Sequence, residues 1–424
     1  MITKPLGEIA DILISNVDKK SKDNEKEVKL CNFVDVYYNW AITASNEKDF
    51  MIATASDAAI DKFALHKGDV AITKDSETRN DIGVATYISE ELDNVLLGYH
   101  CILIHPNEEI VLGKYLNVVL HSSYAQKYFE ANASGSGQRY TLTDTLVKEM
   151  PIPLPDINMQ RKIGDIPSYI DRKIENNNKI NAELESMAKT IYDYWFLQFE
   201  FPNEEGKPYK SSGGKMVWNE ELKREIPEGW ECKTIKDIEN NIITGKTPSS
   251  KVPEYYNGDI PFITIGDIRG NMYVVSTEQT LSEEGAKTQN NKFIPEGSIC
   301  VTCIATPGLV GFSVKDSQTN QQINSIVPKN KKNSNYLYFA INEYFEYASG
   351  AKTGNTFANM NKEDFSNILL LYNKEMVEKY FDITKDIFDK IKQSLLENEE
   401  LASLRDFLLP MLMNGQIGFK DGER

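Results

Sequence analysis

No stretch of this chain stays apolar for the ~18–20 residues that a membrane-spanning helix needs. The N-terminus, Met1-Ile-Thr-Lys-Pro, lacks the apolar core of a signal peptide, so residence in the cytoplasm is expected. Histidine is scarce: His66, His100, His105 and His121 are the full set, all in the other half of the chain from Cys300 and Cys303, and the five cysteines are scattered. A structural zinc needs four clustered ligands, so no metal site is expected. Cys300 and Cys303 lie in the apolar run Ile299-Cys-Val-Thr-Cys-Ile and read as reduced, buried thiols. Catalytic signatures are missing as well. Gly245-Lys-Thr looks like the end of a phosphate-binding loop, but Asn240 stands where its first glycine belongs and Pro248 would break the helix that must follow. Methyltransferase, dinucleotide-binding, zinc-protease and serine-hydrolase signatures are absent. The chain is not expected to be an enzyme or to carry a cofactor.

Hydrophobic residues make up 41% of the chain and aromatics 10%, enough for two or three packed domains in 424 residues. The net charge of −16 runs against binding to phosphates, which calls for Lys and Arg. Its distribution matters more than its sum. Much of the acid lies in helical or linker stretches, at Glu183, Glu185, Glu204, Glu205, Glu220, Glu221, Glu225, Glu397, Glu399 and Glu400. Residues 317–342 have no acid and carry Lys329, Lys331 and Lys332. An acidic total also suggests that a partner supplies part of any DNA clamp.

The strongest positive feature is an internal repeat. Residues 159–191 recur without a gap at 376–408, with 11 of 33 pairs identical, among them Asp165/Asp382, Ile166/Ile383, Lys173/Lys390, Asn181/Asn398 and Leu184/Leu401. So long a period describes two similar domains rather than a solenoid. The expected fold is mixed α and β (α+β), with two similar globular domains, each followed by a long helix. Residues 1–155 read as strands such as Leu30-Cys-Asn-Phe-Val and Asp69-Val-Ala-Ile-Thr plus helix at 113–130, and Pro151, Pro153 and Pro155 close that domain. A long helix follows at 156–198, a Gly- and Pro-rich linker at 199–229, a second domain at 230–372, a second helix at 373–415 capped by Gly415, and a tail at 416–424. Coiled-coil stripes are placed on Ile166, Ile170, Ile174, Ile180, Leu184, Met187 and Ile191, and on Ile383, Ile387, Ile391, Leu401, Leu404 and Leu408.

Each half offers polar loops at matching places. The first has Lys74, Ser76, Thr78, Arg79 and Asn80, then Ser134, Ser136, Gln138, Arg139 and Tyr140. The second has Lys246, Thr247, Ser249, Ser250, Lys251 and Tyr255, then Gln318, Asn320 and Gln321, then Lys352, Thr353, Asn355 and Thr356. Arg, Lys, Gln and Asn read base edges, while hydroxyls and glycine amides hold phosphates. A solvated loop is the competing reading for any single member.

The stretch Gly245-Lys-Thr-Pro-Ser-Ser-Lys-Val-Pro-Glu-Tyr-Tyr-Asn-Gly-Asp-Ile-Pro-Phe, with Ile226-Pro-Glu-Gly-Trp before it, resembles the specificity (S) subunits of type I restriction–modification systems. So do Met150-Pro-Ile-Pro-Leu-Pro-Asp-Ile-Asn-Met-Gln-Arg-Lys-Ile and the order domain, helix, linker, domain, helix over the whole chain. The first half departs from the pattern with Asn16-Val-Asp-Lys-Lys in place of Gly-x-Thr-Pro, and the second with Leu369-Leu-Leu-Tyr-Asn in place of Pro-x-Pro. The resemblance implies a non-catalytic reader of double-stranded DNA. Each domain would recognise one half of a split, asymmetric target. The two helices would pack antiparallel as a coiled coil, set the spacer and dock methyltransferase (M) subunits, two in number. Motor–nuclease restriction (R) subunits would join, and S-adenosylmethionine, ATP and magnesium would belong to those partners. An acidic scaffold that binds M subunits without reading DNA, and an inactive specificity subunit, are the alternatives.

Overall fold

Val70–Thr73 and Cys101–Pro106 are short, almost wholly apolar runs, and the inner residues of both are buried. Burial on both faces places them inside a sheet. The computed structural model, which describes residues 2–136, 139–350 and 359–413, sets them in a five-stranded sheet ordered Ala10–Ile14, Cys101–Pro106, Val70–Thr73, Ala85–Ile88, Ala41–Ile42. A three-stranded sheet, Met51–Ala55, Lys26–Cys31 and Val95–Leu97, accompanies it. The proline run is itself a strand: Pro151–Leu154 pairs antiparallel with Ile2–Pro5 in a two-stranded sheet, where each strand has a free edge that tolerates proline. The helical run expected at 113–130 is two helices, Gly113–Leu120 and Ser123–Asn132, because Ser122 caps the second by accepting from Ala125 N.

The second half rebuilds this plan strand for strand. Its five-stranded sheet runs Ile242–Thr244, Ile323–Ile326, Ile299–Thr302, Val310–Ser313, Tyr273–Val274. In both halves the last strand has two residues and lies parallel to its neighbour. The three-stranded sheet recurs as Gln279–Leu281, Tyr256–Ile263 and Gln318–Thr319, and the two-stranded one as Glu231–Thr234 with Leu369–Tyr372. Tyr115 donates to Pro153 O at 2.6 Å, and Tyr336 donates to the equivalent Leu371 O. Cys300 and Cys303 are free and buried, and burial pushes their thiols up to about 12 and about 11.

By contact density the chain divides into residues 1–175 with 400–424, and residues 176–399. Each unit therefore holds a globular part and a piece of both long helices, Ile157–Tyr192 and Lys374–Met413. The helices start alike: Asp156 accepts from Met159 N and Asn373 from Met376 N. Within the second unit the pieces run antiparallel, since Asn177 donates to Glu397 and Asn398 while Tyr380 donates to Ala188 O at 2.9 Å. Within the first, Ile163 shares a core with Leu409 and Leu412.

The stripe has a different phase from the one expected. Ile163, Ile170, Asn177, Asn181, Ala188 and Trp195 are buried, a heptad pattern in steps of seven, four and three, with Leu184 and Ile191 half-buried on it. Ile180, Met187, Ile383 and Leu404, expected in the seam, are 48%, 54%, 48% and 46% exposed. Asparagines at two seam positions displaced the apparent apolar stripe by one residue. Ile166, Ile174, Ile387, Leu401 and Leu408 are half-buried, while Ile170 and Ile391 are buried. Residues 199–229, expected as a linker, are folded: Met216–Asn219 pairs with Arg224–Pro227, and Phe199 and Phe201 join Trp230 and Phe196 in the core of the second unit. Glycine and proline there mark tight turns rather than slack. Gly415 and the 416–424 tail lie outside the described residues.

In the first unit the His121 ring lies tilted against Trp40, centroids 4.1 Å apart, and its Nδ1 donates to Asn117 O, with Arg405 set over the Trp40 ring. Burial, reinforced by Arg405 against the pull of Asn117 O, lowers its pKa to about 4. Between pH ~6.5 and about 4 the unfolded chain takes a proton that the folded one refuses, so stability is flat above that window and falls as pH drops into it. Going from pH 7 to 5 should cost the first unit about 2 kcal/mol. Hydrogen exchange in residues 113–132 at the two pH values should show this loss, and H121F should remove it.

Candidate nucleic-acid interface

In the first unit the two polar loops meet. Asp75–Ser76, Arg139–Thr141 and Ser134–Ser136 form a three-stranded sheet at the end of strand Val70–Thr73. The hairpin depends on Gly135, at φ +131, where a Cβ would lie 2.2 Å from Arg139 O. At the centre is Asp75, 10% exposed, whose Oδ2 lies 2.6 Å from His100 Nδ1 and 3.0 Å from Arg139 Nη2. Burial alone would raise this carboxyl. Hydrogen bonds from His100, Thr141 and Arg139 outweigh it and hold the group below the usual range, as an anion.

Lys74 Nζ is 3.9 Å from the same carboxylate. Arg79 donates to Ala133 O and lies over the Tyr140 ring at 5.2 Å. Ser76 accepts from Thr78 N, and Ser134 donates to Thr141 O. Asn80 is exposed. Lys74 and Arg139 therefore stand at one buried acid, with Arg79 beside them on Tyr140 of the same hairpin. Gln138 and the Ser136 side chain are outside the described residues. Sequence reasoning missed Asp75, Tyr99 and His100. The only trace was an aromatic pair ahead of a strand, and His100 takes a left-handed φ of +73 to face Asp75.

The second unit holds its platform together with hydrogen bonds between neutral groups. Gly245 packs against the chain at Thr319 and Asn320, and Lys246 N donates to Thr319 O at 2.9 Å. Thr247 donates to Gln321 at 2.6 Å, and Thr244 to Asn324 at 2.6 Å. Lys246, Thr247, Ser249, Ser250, Lys251 and Gln321 are exposed, and Tyr255 is half-buried with its carbonyl accepting from Ser282 N. Two expected readers turn inward. Gln318 is fully buried, giving its amide to Ala286 O and accepting from Gln289; Asn320, 9% exposed, bonds Gln322 through both side-chain ends. They hold the Gly245 loop in place because two backbones meet there and buried amides must be paired. Lys352, Thr353, Asn355 and Thr356 lie outside the described residues.

The pairing registers make position 304 the counterpart of Asp75 and Gln322 that of His100. Ile304 bridges Asn359 as Asp75 pairs with Thr141. One backbone thus carries a charged cluster in one copy and an amide–hydroxyl cluster in the other. Among the described residues no group of acids, histidines and cysteines could hold a metal ion, and no helix is long and apolar enough to cross a membrane.

A family model described as the type I restriction modification DNA specificity domain matches residues 1–186 and again 227–372. The specificity subunit of type I restriction enzyme HindI from Haemophilus influenzae is 33% identical over 409 residues, spanning 84% of this chain and 88% of that one. The MjaIX specificity subunit of Methanocaldococcus jannaschii is 28% identical over 324 residues, 72% of this chain and 69% of its own. Among solved structures, the S subunit of a type I restriction–modification system from M. genitalium shares the fold, with a TM-score of 0.53 over 100% of this chain and 96% of that one at 16% identity.

Proposed function

The chain belongs to the type I restriction–modification DNA specificity family, and from that premise we propose that it is a non-catalytic reader of a two-part DNA target. The observation that carries this reading is the duplicated fold with unlike chemistry at equivalent places. Asp75 and His100, which hold Arg139 in one copy, stand at the positions that Ile304 and Gln322 take in the other. Two similar readers with different side chains call for two different half-sites. The platforms' Lys and Arg, set in a chain of net charge −16, suit a shared clamp in which partner subunits neutralise further phosphates.

We assign the exposed apolar residues of the long helices to methyltransferase docking, with two M subunits per chain and R subunits joining the larger complex. S-adenosylmethionine, ATP and magnesium act on those partners in this reading. Ile180, Met187 and Ile383 of the second unit are half-exposed apolar side chains outside the seam, and exposed apolar groups of this kind support a protein interface. Ile180→Glu with Met187→Glu should weaken M-subunit association at least tenfold while leaving thermal unfolding of the chain unchanged. Titration of purified M subunit against both forms checks this, and equal affinities would remove these residues from the interface.

Binding of the assembled complex to a target duplex, measured as salt rises, tests the reading as a whole. A DNA reader loses affinity linearly in log–log form. An acidic scaffold that imitates DNA shows no specific binding at any salt.

A further inference from the structure

The first platform carries a more specific message about the DNA it takes. Residues 1–155 contain two arginines, Arg79 and Arg139, and both stand on this platform. Arg79 is occupied, bonded to Ala133 O and laid over Tyr140. Arg139 is 57% exposed, yet its Nη2 is fixed 3.0 Å from the carboxylate of Asp75, itself 10% exposed and oriented by His100 at 2.6 Å. A guanidinium has five N–H donors in a rigid plane. Nη2 is held by Asp75 and also lies 2.7 Å from His100 Nδ1, and these two contacts through one nitrogen set the direction of the guanidinium plane.

An arginine held sideways by a buried carboxylate has lost its rotamer freedom before any ligand arrives, which favours one planar, two-acceptor partner over a diffuse phosphate contact. In the major groove that partner is the O6/N7 edge of guanine. Resting on the DNA-reading function above, we propose that Arg139 reads a guanine in the half-site taken by the first unit, with Asp75 and His100 as its positioning residues. The second unit has Ile304 and Gln322 at the places of Asp75 and His100, so this recognition belongs to one half-site only.

The test uses the complete complex with its methyltransferase subunits, expressed in an unmethylated host, with genome-wide sequencing of modified bases. Wild type should give a split motif with a guanine in one half. R139A should relax that single position, reducing the preference for guanine about tenfold or more, and leave the other half-site unchanged. R139K keeps the charge but loses the fork, so it should relax the same position; D75N should do so more weakly. If R139K retains the wild-type motif, or if R139A lowers methylation at all sites equally without changing the motif, Arg139 is a phosphate contact and the proposal is overturned. A wild-type half-site pair lacking any guanine that responds to Arg139 overturns it as well. Failure of wild type to give any split motif would instead count against the DNA-reading function itself.

Discussion

Inserting seven residues between Glu175 and Asn176 is expected to abolish methylation of the native target. The long helix Ile157–Tyr192 gives its first part to one unit and its second part to the other, and Lys374–Met413 does the same in reverse order. A heptad preserves the phase of the seam but adds ~10.5 Å to one helix alone. The Asn177–Asn398 contact in the second unit and the Ile163–Leu409 core in the first can then no longer hold on the same pair of helices. One seam must break, or the spacing between the two readers must change. A matching heptad between Glu399 and Glu400 should restore methylation, with the unread spacer longer by about three base pairs at 3.4 Å each. Motif sequencing of the single and double insertions checks both outcomes. A native spacer in either would refute the idea that the helices set it.

The second large effect lies at Gly245. A Cβ there would stand 2.2 Å from Asn320 O and 2.3 Å from Thr319 O, both backbone atoms in a loop fixed by Gln318 and Gln289. Neither backbone has room to give. G245A should therefore cost the second unit about 3 kcal/mol or more. It should also displace Lys246 and Thr247, so that reading of the second half-site fails while the first unit keeps its fold. Hydrogen exchange would show the loss confined to residues 242–327, and motif sequencing would show a degenerate second half beside an intact first. Equal damage in both units would mean that the close approach does not govern the second platform.

Much of the fold was legible because backbone patterns are repeated locally. Gly68 and Gly297 mark the same turn before the same strand, and the Tyr-Leu pairs at 115 and 336 start the same helix and bond the same edge strand. The seam misled because Asn177 and Asn181 occupy it. Polarity made the residue before Asn181, Ile180, look like the core position, and only the antiparallel partner reveals the true phase. Asn181 is buried with neither end of its amide bonded among the described residues, an arrangement that no apolar pattern foretells. The polar loops were visible as sets. What could not be read is which members turn inward: Gln318 and Gln321 look alike in sequence, and a hydrogen bond to Ala286, more than thirty residues away, separates their roles. Asp75 and His100 were missed for the same reason, since their meaning depends on Arg139 arriving from a distant hairpin.

The central claim is that this chain directs its partners to a DNA target with two unlike halves. Co-expression with the neighbouring methyltransferase subunit in an unmethylated host, followed by sequencing of modified bases, tests it most directly. The account predicts one split motif, its halves different and separated by a fixed number of unread positions. A stable complex that leaves the genome unmodified, or that modifies an unsplit or symmetric sequence, would contradict it.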